Sequence, residues 1–89
     1  MVRLFVLHTV KDYAFWRAGY DAGAEFRAGF GVRGDGVYRG VDDPSEITVW
    51  HDFDDAEAAK KFRAAPELRD KMAELGVAST PIVWIAAHT

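Results

Sequence analysis

The 89-residue sequence contains no cysteine, which excludes disulfide scaffolds and thiolate-based zinc or redox sites and permits a reducing compartment. Long apolar runs are missing too. The longest, Pro81 to Ala87, falls far short of the roughly 20 residues that a membrane-spanning helix needs. At the start, Met1-Val2-Arg3-Leu4-Phe5-Val6-Leu7 reaches His8 and Lys11 too soon for the apolar core and cleavage site of a secretory leader. Basic residues are scattered, and a formal charge of -3 with a pI near 5.5 leaves no stripe for counterion-release binding of nucleic acid. A soluble cytoplasmic protein is expected, with neither a nucleic-acid nor a membrane partner.

Apolar material, by contrast, is plentiful: 49% of residues are hydrophobic and 13% aromatic, Trp16, Trp50 and Trp84 among them. So short a chain fits one domain, residues 1–89, and buries only roughly 60–65% of its unfolded surface. It carries more apolar surface than such a monomer comfortably hides. An oligomer is therefore expected.

Val2 to Val10 reads as a strand buried on both faces. Asp12 is a good N-cap for a helix bearing Tyr13, Trp16, Tyr20 and Gly23 at helical spacing, with Phe15, Ala22, Phe26 and Phe30 in an adjacent stripe, running to about Ala28 or Gly29. Gly31 to Val41 predicts a weaker, bulged or edge strand. Asp42-Asp43-Pro44-Ser45 turns the chain into a second strong strand, Glu46 to Phe53, completing a hairpin. A further helix opens at Asp54 or Asp55 and carries Ala56, Ala59, Phe62 and Ala65, with Glu57 at capping-box-like spacing from Asp54. Pro66-Glu67-Leu68 predicts its kinked continuation through Met72 and Leu75 to a stop at Gly76. Ser79-Thr80-Pro81 leads into a last strand, Ile82 to about His88. Gly29 to Gly34 matches G-x-G-x-x-G in letters, but it leaves a helix and enters a strand, the reverse of a dinucleotide site. The charged run from Lys60 to Asp70 reads as the solvated face of the second helix.

The order β-α-β-β-α-β specifies an α+β, ferredoxin-like domain with helices on one side of a four-stranded antiparallel sheet. Strands 1 and 3, the most apolar, are expected to be central, adjacent and parallel. Alternation turns Val2, Leu4, Val6, His8 and Val10, with Ile47, Val49, His51 and Phe53, toward the helices. The other face then presents Phe5, Leu7 and Trp50 to water. Burying each is worth roughly 1.5–3 kcal/mol, so sheet-to-sheet homodimerisation is the expected solution. His8 and His51 stand at matching points in the two halves, each before an acidic helix start. Parallel strands would set the two imidazoles side by side.

His8-x-Val10-x-Asp12-Tyr13-x-x-Trp16, the Asp43-Pro44 turn, Phe53-Asp54-Asp55-x-x-x-Ala59, and Pro66-Glu67-Leu68 with Met72 and Gly76-Val77 resemble the dimeric α/β-barrel superfamily, relatives of antibiotic-biosynthesis monooxygenases and polyketide cyclases. The resemblance spans nearly the whole chain. It implies a homodimer whose two sheets form a barrel, with a ligand pocket in each subunit between sheet and helices. Members include cofactor-independent oxygenases, aromatic-polyketide cyclases, haem-binding degraders and muconolactone isomerases, so the fold does not choose among chemistries. The best-known oxygenase pattern uses asparagine, tryptophan, tyrosine and arginine around the substrate. This chain has no asparagine.

Oxygenase and cyclase members share proton removal from a phenol or from carbon beside carbonyls, a step suited to a histidine near neutrality. His8 and His51 are the candidate general base and its polarising partner, since paired, buried imidazoles disfavour joint charging. Trp16 and Tyr20 are candidates to stack on a flat substrate, with Tyr20 or Tyr38 donating to an oxygen and Arg27 binding an anionic substituent. The resulting expectation is a cofactor-independent monooxygenase or cyclase acting on a small aromatic or polyketide-type metabolite, with no metal or nucleotide. The alternative is a non-catalytic small-ligand dimer, haem-binding or stress-related. Helix-to-sheet packing explains the same aromatics equally simply.

Overall fold

The computed structural model describes residues 1–89. Strand β1 (Val2–Thr9) leads to α1 (Tyr13–Ala22) and α2 (Ala24–Gly29), then to β2 (Gly34–Arg39), β3 (Glu46–Phe53), α3 (Ala56–Ala64), α4 (Pro66–Glu74) and β4 (Ile82–Ala87). The sheet order is β2-β3-β1-β4, with every neighbouring pair antiparallel. This is the expected ferredoxin-like α+β domain.

The expected parallel pairing of strands 1 and 3 is corrected. The helical crossover makes β1 and β2 point the same way, and the β2–β3 hairpin then turns β3 back against β1. Leu4 consequently lies opposite His51, and His8 lies opposite Ile47, with the Val6–Val49 pair between them. Four rungs separate the imidazoles, about 14 Å at a strand's rise per residue. They are not side by side.

Two local features also differ from expectation, at Gly23 and at Ala65, and the choice between Asp54 and Asp55 is settled. The first helix breaks at Gly23, because the Arg27 side chain folds back over that glycine and its Nη1 donates to the Tyr20 carbonyl at 2.6 Å. The guanidinium thus caps α1 from the following turn. Asp55, rather than Asp54, caps α3 by accepting from the Ala58 N–H at 2.8 Å, while Asp54 pairs with Arg33. Ala65 is extended before Pro66 (φ -67°, ψ 124°), so the proline starts a new helix rather than kinking an old one. Asp12 does cap α1, and Gly76, at φ 79°, does follow α4.

Leu4, Val6, His8, Ile47, Val49, His51 and Phe53 all bury their side chains on the inner sheet face. One apolar cluster joins Leu4, Val6 and Phe53 to Ala59 and Phe62 of α3, and the other joins Val10, Ile47 and Val49 to Trp16 and Tyr20 of α1. The outer face stays half-covered, so β1 is fully buried on one face only within a single chain. There Phe5 stacks on Trp84 with ring centres 5.0 Å apart, and the Arg3 guanidinium lies 3.7 Å above Trp50 while gripping Asp52 at 2.7 and 3.0 Å.

Candidate active-site pocket

Alternation brings His8 and His51 to the inner face, and α1 lays Trp16 and Tyr20, one turn apart, across it. Opposite them, α4 contributes Leu68, Lys71 and Met72. Between these layers is a solvent-connected cavity of about 60 Å³, largely apolar, whose walls include both histidines, Trp16, Tyr20, Phe26, Arg27 and Phe62. An aromatic chain crosses it. His8 meets the Trp16 ring edge-on at 5.6 Å, Trp16 stacks on Tyr20 at 5.1 Å, and Tyr20 stacks on His51 at 6.2 Å.

The polar centre of this wall is Tyr20. Its hydroxyl donates to Asp35 Oδ2 at 2.6 Å and lies 3.2 Å from His51 Nε2. A phenol has one proton to give, and the shorter contact to the carboxylate takes it. His51 Nε2 therefore carries the proton that Tyr20 Oη accepts, and the lone pair of this ring sits on Nδ1. That Nδ1 is buried and meets no hydrogen-bond partner. Burial, reinforced by the nearby Arg27 charge, pulls the His51 pKa down to about 4, so the ring is neutral at pH 7. Burial, together with the hydrogen bond to Asp35, pushes the Tyr20 phenol well above its ordinary value.

His8 is also buried, its pKa is lowered by burial, and its Nδ1 is likewise without a partner. It touches the same cavity from the far end, too distant from His51 to act on one proton jointly with it. Arg27 lies 3.8 Å above the Tyr20 ring at the cavity edge. Tyr38 is not brought to this site. It belongs to the outward phase of β2, opposite Thr48, and is 63% exposed on the other side of the sheet. No three His, Asp or Glu side chains converge as a metal-ligand set.

No family model matches the chain, and no curated protein matches it. Solved structures do. A protein from Bordetella bronchiseptica assigned to the antibiotic biosynthesis monooxygenases superposes with a TM-score of 0.82 at 16% identity, over 99% of this chain and 96% of that one. SnoaB, a cofactor-independent oxygenase from Streptomyces nogalater, gives 0.72 at 20% identity, over 99% and 94%. A conserved protein from Methanosarcina mazei gives 0.76 at 14% identity, over 99% and 92%. The chain has the antibiotic biosynthesis monooxygenase-like fold.

One residue of the candidate site escaped the sequence reading, Asp35. It stands opposite His51 on β2, in a weak strand whose neighbours Gly34 and Gly36 carry no side chains to reveal the inward phase. A carboxylate two residues before Val37, on the same side of the strand, was the available signal. Phe62, Leu68, Lys71 and Met72 were legible as helix residues but not as cavity walls, because only the packing angle of α3 and α4 turns them there.

Proposed function

We propose that this protein is a cofactor-independent oxygenase for a small, flat, enolisable aromatic or polyketide-type metabolite. The observation that carries the reading is the neutral, buried His51, fixed through Nε2 by Tyr20 and left with an unpartnered Nδ1 in an apolar, aromatic-walled pocket. Tyr20 and Asp35 act as positioning residues that hold this tautomer. The imidazole takes a proton from an activated CH2 or phenol, and Trp16 and Tyr20 hold the flat anion. An enolate forming beside the imidazolium offsets the desolvation that depresses its pKa. Dioxygen is the oxidant: the carbanion forms a C–O bond, the resulting peroxide anion takes the proton back from the imidazolium to give a hydroperoxide and regenerate the base, and the O–O bond then breaks with loss of water, leaving a carbonyl where the CH2 stood. With a second carbonyl in reach, the same anion closes a ring and needs no oxidant. His8 serves as a polarising group at the far end of the pocket. The reading includes assembly as a homodimer through the outer sheet face and residence in the cytoplasm.

A second reading, a non-catalytic small-ligand binder, is favoured by one observation: His51, buried with its pKa lowered to about 4, is a weak base. Oxygen-electrode assays over a panel of small hydroxyarenes and 1,3-dicarbonyl compounds, with product analysis, separate the two. An oxygenase consumes one dioxygen per substrate without added cofactor, and His51→Ala lowers turnover by about 100-fold or more. Saturable binding with neither oxygen uptake nor cyclisation selects the binder. Full turnover in both His8→Ala and His51→Ala variants eliminates the acid–base role.

A further inference from the structure

Two cations border the cavity and neither has a counter-ion. Arg27 reaches it from α2 and Lys71 from α4, both half-buried. Arg27 is spent on the Tyr20 carbonyl and ring face, and Lys71 Nζ lies 5.2 Å from the centre of the Phe26 ring. The ion pairs of the chain are Arg3–Asp52, Arg17–Asp21 and Arg33–Asp54. Carboxylates are not scarce, for the net charge is -3 and Glu67, Asp70 and Glu74 share α4 with Lys71. None comes within ion-pair distance of Lys71 or Arg27. The pocket's own carboxylate, Asp35, is occupied by the Tyr20 hydroxyl.

We propose that the pocket takes a planar organic anion, with its apolar body toward His51 and Trp16 and a carboxylate or phenolate oxygen held between Arg27 and Lys71 at the mouth. Size supports this orientation. The cavity of about 60 Å³ is smaller than the roughly 150 Å³ that encloses a benzene ring, so a ligand enters part-way and its head group stays where the two cations stand. Charge supports it as well. A guanidinium beside an apolar wall is poorly hydrated and offers a second N–H pair to an oxyanion, and the ammonium across the mouth adds a mobile donor. This inference rests on the reading of the cavity as a small-ligand site and narrows its substrate class.

The test is calorimetric titration of the purified protein with 2-naphthoate and its neutral isostere 2-naphthamide, at low and high salt. The carboxylate is expected to bind about tenfold more tightly, the worth of one charge-assisted hydrogen bond, with the margin shrinking as salt rises. Lys71→Gln and Arg27→Gln should each reduce that margin, read as the ratio of the two affinities within each variant, with far-UV circular dichroism confirming the fold. Equal affinity for the two probes, or a margin that survives in the double variant, overturns the anion assignment but leaves the ligand pocket standing. Failure of both probes to bind overturns both. Tight naphthoate binding with no turnover of any panel compound overturns only the oxygenase reading.

Discussion

At the scale of single residues, His51 ties the proposed function to acid stability. The residue is 4% exposed and its pKa falls from the ordinary 6.5 to about 4, so the unfolded chain binds a proton more readily than the folded one. The stabilising contribution is complete above about pH 6.5 and is lost as pH falls toward 4. The expected loss is on the order of 3 kcal/mol, with His8 acting in the same direction. Urea midpoints measured between pH 4 and 7 should fall steeply in the wild type and less steeply in His51→Phe; parallel curves would refute the assignment. Tyr20→Phe removes the acceptor of the buried Nε2–H, at a cost of about 1–3 kcal/mol. It should also mix the two His51 tautomers, which imidazole 15N shifts read directly. Unchanged shifts would show that Tyr20 does not set the proton's position.

At the scale of elements, the β2–β3 hairpin is held by its turn more than by its tip. The Gly40 N–H donates to the Glu46 carbonyl at 2.7 Å, and Asp43 accepts from both the backbone and the hydroxyl of Ser45 at 3.0 and 2.6 Å. A Cβ on Gly40 would run into the Asp43 backbone carbonyl. Gly40→Ala should therefore cost about 1–3 kcal/mol in urea unfolding, whereas Val41→Ala, at a tip 98% exposed, should change stability by less than about 0.5 kcal/mol. These elements were legible to different degrees for physical reasons. Alternation on β1 and β3 declared the inner face because one side of each strand meets helices, and Asp12 announced its helix because one carboxylate stood where one cap was needed. Asp54 and Asp55 suit a cap equally well, and only the reach of Arg33 decides between them. The break at Gly23 depends on Arg27 returning through space to Tyr20, a contact that no local pattern encodes. Continuous apolarity marks β1 and β3 as central and adjacent but carries no direction, and it is the β2–β3 hairpin that sets them antiparallel.

At the scale of the whole molecule, the outer sheet face remains the surface in need of a cover. Phe5, Trp50 and Trp84 lie across it, with Trp84 43% and Ile82 59% exposed. Burying each of the large side chains is worth roughly 1.5–3 kcal/mol. Native mass spectrometry is expected to give twice the chain mass, and Trp84→Glu to give the single mass with an unchanged far-UV spectrum; a wild-type monomer would defeat the pairing argument. The inner face, where the site lies, has a different economy. His8 and Asp12 are spaced as His51 and Asp55 are, and both aspartates cap helices. In the ladder, the Val6–Val49 rung is flanked by His8–Ile47 on one side and Leu4–His51 on the other, so a pseudo-dyad through that rung exchanges the two halves. Under this operation Trp16 falls on Ala59. Side-chain volumes break this two-fold symmetry: the Trp16 ring holds α1 away from the sheet, the small Ala59 lets α3 settle onto it, and the cavity between the helical layers touches Val6 and Val49 at the dyad itself.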